Sequence, residues 1–211
     1  MSDGLFLTLE GVEGSGKTTQ AALLADALRA RGLVATVTRE PGGTPLAEGI
    51  RVLLLDPQVR PVPLAEALLM EAARAQLVGT LVEPALQAGR VVLCDRYDDS
   101  TLAYQGAGRG LDARMLATLN AWATRGRRPD LTLLFDLAPA AGLERRMRAG
   151  GDTNRLDREP ADFHSRVRER YLELAAAEPA RWRVLDAALP PDELEVRVWE
   201  IVSPRVLAGR A

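Results

Sequence analysis

The stretch LFLTLEGVEGSGKTTQAALLADALRARG, residues 5–32, constrains the chain more than any other. Residues 5–11 form a short apolar β-type run ending in glycine. From Thr18 onward apolar residues return at helical spacing and stop at Gly32, a candidate helix end. A strand that passes through a glycine-rich loop straight into a helix is a βα unit, and its crossover to a parallel neighbour is right-handed. The same alternation recurs. Strands are predicted at 33–39, 90–96, 130–137 and 181–187, in addition to 5–11. A turn and helix occupy 40–56, and a long helix, bent near Pro84, runs over 63–89. Further helices are expected at 111–126, 139–150, 162–178 and 190–206, while 97–110 reads as irregular or weakly helical and 152–159 as a polar loop. Strands alternating with helices five times imply an α/β chain with a five-stranded parallel sheet covered by helices on both faces. Ligands of such sheets sit beyond the carboxyl ends of the strands.

Gly11-Val12-Glu13-Gly14-Ser15-Gly16-Lys17-Thr18 matches G-x-x-x-x-G-K-[ST] in the strand–loop–helix setting that the phosphate-binding loop requires. This predicts a three-layer fold of the P-loop NTPase type. Backbone N–H groups of residues 11–19, Thr19 included, would wrap a phosphate at the positive end of the following helix. Lys17 would reach the β- and γ-phosphates, and the Thr18 hydroxyl would help hold Mg²⁺. The chain has 27 lysines and arginines, and Lys17 is the sole lysine. A forked guanidinium does not replace an ammonium tucked inside such a loop, which explains its retention. The same count excludes an Asn-Lys-x-Asp guanine-reading loop.

At 211 residues the chain fits one domain, read as residues 1–211 with a lid segment at about 145–160. A net charge of -2 argues against a nucleic-acid partner. The N-terminus lacks a signal-peptide pattern and no apolar run reaches the ~20 residues of a membrane span, so no membrane partner is expected. One cysteine, Cys94, permits no internal disulfide, and a cytoplasmic setting is the simplest reading.

A small-molecule kinase needs a second anion site facing the phosphate loop, with arginines to neutralise the transferring phosphoryl group. Arg39 ends the second predicted strand and Asp95-Arg96 the third. Arg74 lies within the long helix, either snorkelling from an amphipathic face or serving the site. Arg145, Arg146, Arg148, Arg155 and Arg158 crowd the region after the fourth strand; Arg148, Arg155 and Arg158 read as a closing lid, and Arg166, Arg168 and Arg170 as a solvated helical face. A stand-alone ATPase would want a glutamate or glutamine to place water after a strand, where LLFDL offers only Asp136. His164 reads as a surface residue, Cys94 as a small core residue, and Trp122, Trp182 and Trp199 as core or interface residues.

Several segments resemble the thymidylate kinase family: LEGVEGSGKTTQ (9–20), TREPGGTPLAE (38–48), AARAQL (72–77), CDRYDDSTLAYQGAGRG (94–110), RPDLTLLFDL (128–137), LDRE (156–159) and RVRERYLELA (166–175). The resemblance implies transfer of a phosphoryl group from MgATP to dTMP. It implies that Lys17, Arg96, Asp95 and a lid arginine among Arg148, Arg155 and Arg158 serve catalysis, with Thr18 and Asp95 near Mg²⁺. It further implies that Glu13, Arg39, Pro41, Met70, Arg74, Arg96, Ser100, Tyr104 and Gln105 contact dTMP. Glu13 would approach the sugar hydroxyl, Arg74 and Gln105 would read the thymine edge, and Tyr104 would exclude a ribose hydroxyl. Relatives often carry a phenylalanine where this chain has Met70, and their lids are often shorter than GGDTN-RLDRE. The family commonly forms homodimers, and the Ala/Leu-rich long helix is a candidate interface. A kinase for dUMP, for a different nucleoside monophosphate or for a deoxynucleoside, and an ATP-binding regulatory module without transfer, are the alternatives.

Overall fold

Strands β1 (Leu5–Glu10), β2 (Ala35–Arg39), β3 (Val91–Asp95), β4 (Leu131–Asp136) and β5 (Trp182–Asp186) form one parallel sheet in the order β2-β3-β1-β4-β5. The chain is described here from a computed structural model covering residues 4–148, 150 and 153–208; the tip of the predicted lid, at 149, 151 and 152, lies outside the described residues. Leu9 pairs with Asp95 on one side and with Leu133 on the other, so β1, β3 and β4 end level with one another. The loop after β1 and the residues after β3 therefore share one edge of the sheet.

Alternation along the strands supplies two cores. Leu7, Leu9, Val91, Leu93, Leu131 and Leu133 join the main cluster, whereas Phe6, Val92 and Cys94 point the other way and join a second one. Helix α1 (Lys17–Arg29) ends as the sequence suggests: Gly32 is left-handed (φ 72°) and the Leu33 N–H donates to the Leu28 carbonyl. Helix α2 (Pro45–Leu55) is capped by Thr44, whose hydroxyl accepts from the Ala47 N–H.

The long helix is not one cylinder. Helix α3 (Pro63–Leu77) widens into a π-helical turn at Val78–Val82 and resumes as α4 (Glu83–Gln87). The wide turn falls just before Pro84, which has no N–H to donate to the carbonyl four residues back. Residues 98–108 are helical, which decides between the irregular and weakly helical alternatives. Helix α5 (Asp98–Thr101) continues as a π-helical stretch, Leu102–Gly108. Packing overrides the poor helix propensity of its glycines: a Cβ at Gly108 would collide with the ring of Phe163.

Helices α6 (Ala113–Thr124), α7 (Pro139–Arg148), α8 (Ala161–Ala177) and α9 (Pro191–Ala208) complete the chain, with a short 3₁₀ turn at Leu156–Arg158. Helix α8 buries Phe163, Val167, Tyr171 and Ala175, four residues apart each time. Its arginines keep the solvated face expected of them, Arg166 exposed and Arg168 and Arg170 half-buried, but each also makes a specific bond. Arg166 donates to the carbonyls of Ala107 and Gly108 at the end of the π-helical stretch. Arg168 grips Asp136 with two bonds, which removes the one carboxylate after β4 that could have positioned water. Arg170 alone pairs locally, with Glu173. Cys94 and Trp182 are buried, Trp199 is half-buried under Arg31, and Trp122 is exposed.

Candidate active site

The phosphate loop is built by close backbone contact. Gly11, Gly14 and Gly16 have positive φ. Gly14 also abuts the backbone of Gly142 in α7, and Gly142 in turn abuts the carbonyl of Glu13, so neither position has room for a Cβ. Lys17 folds into this loop: Nζ donates to the carbonyls of Gly11 (3.0 Å) and Val12 (2.8 Å) and to Ser15 Oγ (3.2 Å). Burial and the neighbouring Arg96 pull its pKa down to about 8, opposed by Asp95, Glu13 and Glu10.

Beside the loop lies the end of β3. Thr18 donates its hydroxyl to Asp95 Oδ2 at 2.5 Å. A hydroxyl and a carboxylate in contact are hard oxygen donors. Magnesium is ordinarily held by one or two such groups together with phosphate oxygens and water, so the pair fits it.

Arg96 follows Asp95 with φ 73°, a left-handed conformation costly for a side chain of this kind. That turn aims the guanidinium back across the sheet edge. Nη2 donates to Glu13 Oε1 (3.1 Å), Nη1 donates to the Tyr171 hydroxyl (3.1 Å), and the group lies 4.7 Å from the centre of the Tyr104 ring. Glu13 also accepts from Tyr104 Oη (2.6 Å), and its Oε2 lies 3.4 Å from His164 Nδ1. Burial raises the Glu13 pKa, but His164, Arg96, Tyr104 and Lys17 outweigh it and hold the carboxyl well below the usual range. His164 is thus 1% exposed and not the surface residue expected. It follows Phe163 at the edge of the buried stripe of α8, a position that charge-rich surroundings disguise.

Under this layer sits Glu10, wholly buried. It accepts from the Tyr97 N–H, Ser100 Oγ and the Tyr171 hydroxyl at 2.7, 2.7 and 2.8 Å. Burial and Asp99 push its pKa up to about 7 despite Arg96, Ser100 and Tyr171.

The opposite wall comes from α2, α3 and the π-helical stretch. Arg74 is 2% exposed, which overturns snorkelling from an amphipathic face. Its fork is filled by Glu40, Glu71, Thr101, Asn120 and the Tyr97 carbonyl, tying α3 to the turn after β2, to α5 and to α6. Met70 packs at the α2–α3 seam. Arg39 is half-exposed and rests on Glu48.

One cleft of about 580 Å³ joins these walls. It brings together Glu13, Gly14, Gly16, Lys17, Thr18, Thr19 and Asp95 on one side, and Arg39, Pro41, Met70, Arg74, Arg96, Ser100, Tyr104 and Gln105 on the other. Gly11, Val12 and Ser15 stand behind the loop and do not line it. Neither do the three lid arginines. Arg155 is buried with Nε on the Leu54 carbonyl and Nη2 2.6 Å from Glu66; Arg148 is exposed beside Glu144, and Arg158 is exposed beside Thr153. The cations that do line the cleft from α7 are Arg145 and Arg146, and Arg51 joins them from α2. Arg145 donates to the carbonyls of Ala187 and Ala188, across a second cavity of about 360 Å³ on the far side of the phosphate loop. Arg145 and Arg146 were visible as an arginine cluster, but helical phase alone did not separate them from Arg148. Nothing local marked Arg51 or the loop after β5.

The fold and cleft define a P-loop nucleotide-binding protein whose phosphate loop faces an arginine-lined bay. A family model described as thymidylate kinase matches residues 9–198. The thymidylate kinase of Deinococcus radiodurans is 56% identical over 205 residues, covering 97% of this chain and 99% of that protein. That of Thermomicrobium roseum is 53% identical over 205 residues, with 97% of each covered. The crystal structure of thymidylate kinase from Ehrlichia chaffeensis superimposes with a TM-score of 0.77 at 32% identity, covering 95% of this chain and 99% of that one. The chain belongs to the thymidylate kinase family.

Proposed function

We propose that this chain phosphorylates dTMP to dTDP with MgATP by direct in-line transfer, within one kinase domain whose lid spans about 145–160. The observation that carries the reading is the shared cleft: a phosphate loop and a bay lined by Arg39, Arg51 and Arg96 open onto one another across Glu13. The donor phosphates would lie on the loop with Lys17, and its nucleoside in the cavity beside residues 187–191. Magnesium, arriving with ATP and held by Thr18 and Asp95, would neutralise phosphate charge. A nucleoside monophosphate is already ionised near neutral pH, so positioning and charge neutralisation suffice and no strong base is required. Arg96 would bridge acceptor and donor phosphates, fixed in place by Tyr171 and Glu13. Glu13 Oε2 has only the 3.4 Å contact with His164 Nδ1 among the described residues, which suits it to accept from a sugar hydroxyl of the acceptor. Tyr104, pinned to Glu13 and under Arg96, would crowd the 2′ position. Gln105 and Arg74 would face the base, with Met70 and Ser100 beside it.

Arg148 and Arg158, exposed and held by few contacts, are the lid arginines free to swing inward. Arg155 would anchor the base of the lid through Glu66. Cytoplasmic residence fits a chain whose one thiol is buried and unpaired. Homodimer formation fits α3 and α6, which pack together and expose Leu64, Leu68 and Trp122.

The test is phosphoryl transfer from MgATP to dTMP, dUMP, UMP, dGMP, AMP and thymidine, beside ATP hydrolysis without acceptor. Preference for dTMP is expected. Preference for another acceptor would overturn the base assignments, and hydrolysis alone would leave only nucleotide binding. Arg96→Ala should lower kcat for dTMP about 10²–10³-fold. Near-normal turnover would remove Arg96 from the mechanism.

A further inference from the structure

Glu66, in the first turn of α3, is a charged side chain with no solvent exposure whose one role so far is to hold Arg155. Its partners come from two separate segments. Oε1 accepts from Gln105 Nε2 (2.8 Å) and from Arg109 Nε (3.2 Å). Oε2 accepts from Arg109 Nη2 (3.1 Å) and lies 2.6 Å from Arg155 Nη2. Two fixed cations thus surround the carboxyl, and Arg109, Gln105 and Arg155 outweigh burial to keep it ionised.

The consequence concerns Gln105, which lines the cleft and is itself 1% exposed. A side-chain amide has one accepting and one donating end, and packing alone hardly distinguishes them. An ionised carboxylate only accepts, so the Gln105 nitrogen must face Glu66. No described residue donates to the other end, the carbonyl oxygen. That end is an acceptor, and it pairs with a ring N–H. A 4-keto pyrimidine carries such an N–H at position 3, whereas a 4-amino pyrimidine carries a bare nitrogen there and meets the carbonyl lone pair to lone pair.

We propose that Glu66 is a specificity-determining positioning residue: by locking the orientation of the Gln105 amide, it makes the cleft select 4-keto over 4-amino pyrimidine nucleotides. This rests on the reading that the acceptor base lies against Gln105. Glu66 does not touch the base, and its effect is transmitted through one amide.

The experiment compares kcat/KM and calorimetric binding constants for dTMP and dCMP in the wild-type chain, in Glu66→Gln and in the double exchange Glu66→Gln/Gln105→Glu. In Glu66→Gln the new amide at 66 offers either end, so Gln105 is free to turn over. The dTMP:dCMP ratio should fall roughly tenfold, the worth of one net hydrogen bond, chiefly through KM for dTMP. The double exchange keeps the charge beside Arg109 and Arg155 and returns an accepting group to the cleft, so the ratio should recover; it also carries the test if Glu66→Gln does not fold. A merely structural role would lower both acceptors alike. A ratio unmoved in Glu66→Gln, or not restored by the exchange, overturns the proposal while the dTMP kinase reading stands. A wild-type chain that does not favour dTMP over dCMP overturns both.

Discussion

Glu10 shows how much of this site is decided atom by atom. Its carboxyl holds Tyr97, Ser100 and Tyr171, and Tyr171 holds Arg96, so a wholly buried acid sets the stance of a cation in the cleft. Its pKa, pushed up to about 7 by burial and Asp99, makes the arrangement sensitive to pH. Between about pH 4.5 and 7 the folded chain keeps a proton that the unfolded chain has released. Stability from this group is therefore greatest at the acid end and is lost as pH rises, by about 1–3 kcal/mol in all. Glu40, also raised to about 7 by burial, acts in the same direction. In Glu10→Gln the oxygen can keep the Tyr97 N–H while Ser100 and Tyr171 turn to accept from the new N–H. Its Tm should then fall less between pH 5 and 7 than that of the wild type, Glu40 contributing equally to both. Parallel Tm curves would show that Glu10 titrates as an ordinary carboxyl.

Among the elements, α7 has a role its sequence does not announce. PAAGLERRMR reads as a polar amphipathic helix, yet Gly142 is pressed against the phosphate loop and Arg145 and Arg146 turn to the cleft. Gly142→Ala would drive a methyl into the Glu13 carbonyl and displace the loop. We expect KM for ATP to rise about tenfold or more, with a Tm loss consistent with overpacking of about 1–3 kcal/mol. Gly49→Ala in α2, which has open space, should instead be neutral or stabilising by about 0.5–1 kcal/mol. Equal ATP affinity in the two variants would refute the contact. The π-helical stretch 102–108 is a second such element: α8 covers it and Arg166 closes its end, so a glycine-rich segment is held helical by neighbours far away in the chain.

For the molecule as a whole, level strand ends set the plan. Because β1 and β3 finish side by side, the phosphate loop and Asp95-Arg96 meet without any special device. The remaining surface carries one consequence. Trp122 is 76% exposed on α6, and Leu64 and Leu68 are exposed on α3, the helix packed against it. A side chain of that size left to water is costly, and a second copy would cover it. Light scattering should give the mass of a dimer, and Trp122→Glu should shift it to monomer without loss of helix content. A wild-type monomer, or a variant that stays dimeric, would locate the interface elsewhere or abolish it.

What the amino-acid sequence determined by itself was local. The phosphate loop, the five strands, the left-handed end of α1 at Gly32 and the place of Asp95 and Arg96 at a strand end all follow from patterns within a few residues, where backbone sterics and periodicity act. The family resemblance was legible in the same way, as short motifs in order. Only the tertiary structure decided which partner holds each charge. Arg168 is taken by Asp136, Arg155 by Glu66, and Arg74 by a ring of acceptors drawn from four segments, while His164 lies buried against Glu13. Helical spacing places an arginine on a face, but the carboxylate that captures it sits tens of residues away. Burial then decides the outcome, because a charge removed from water must find its partner there.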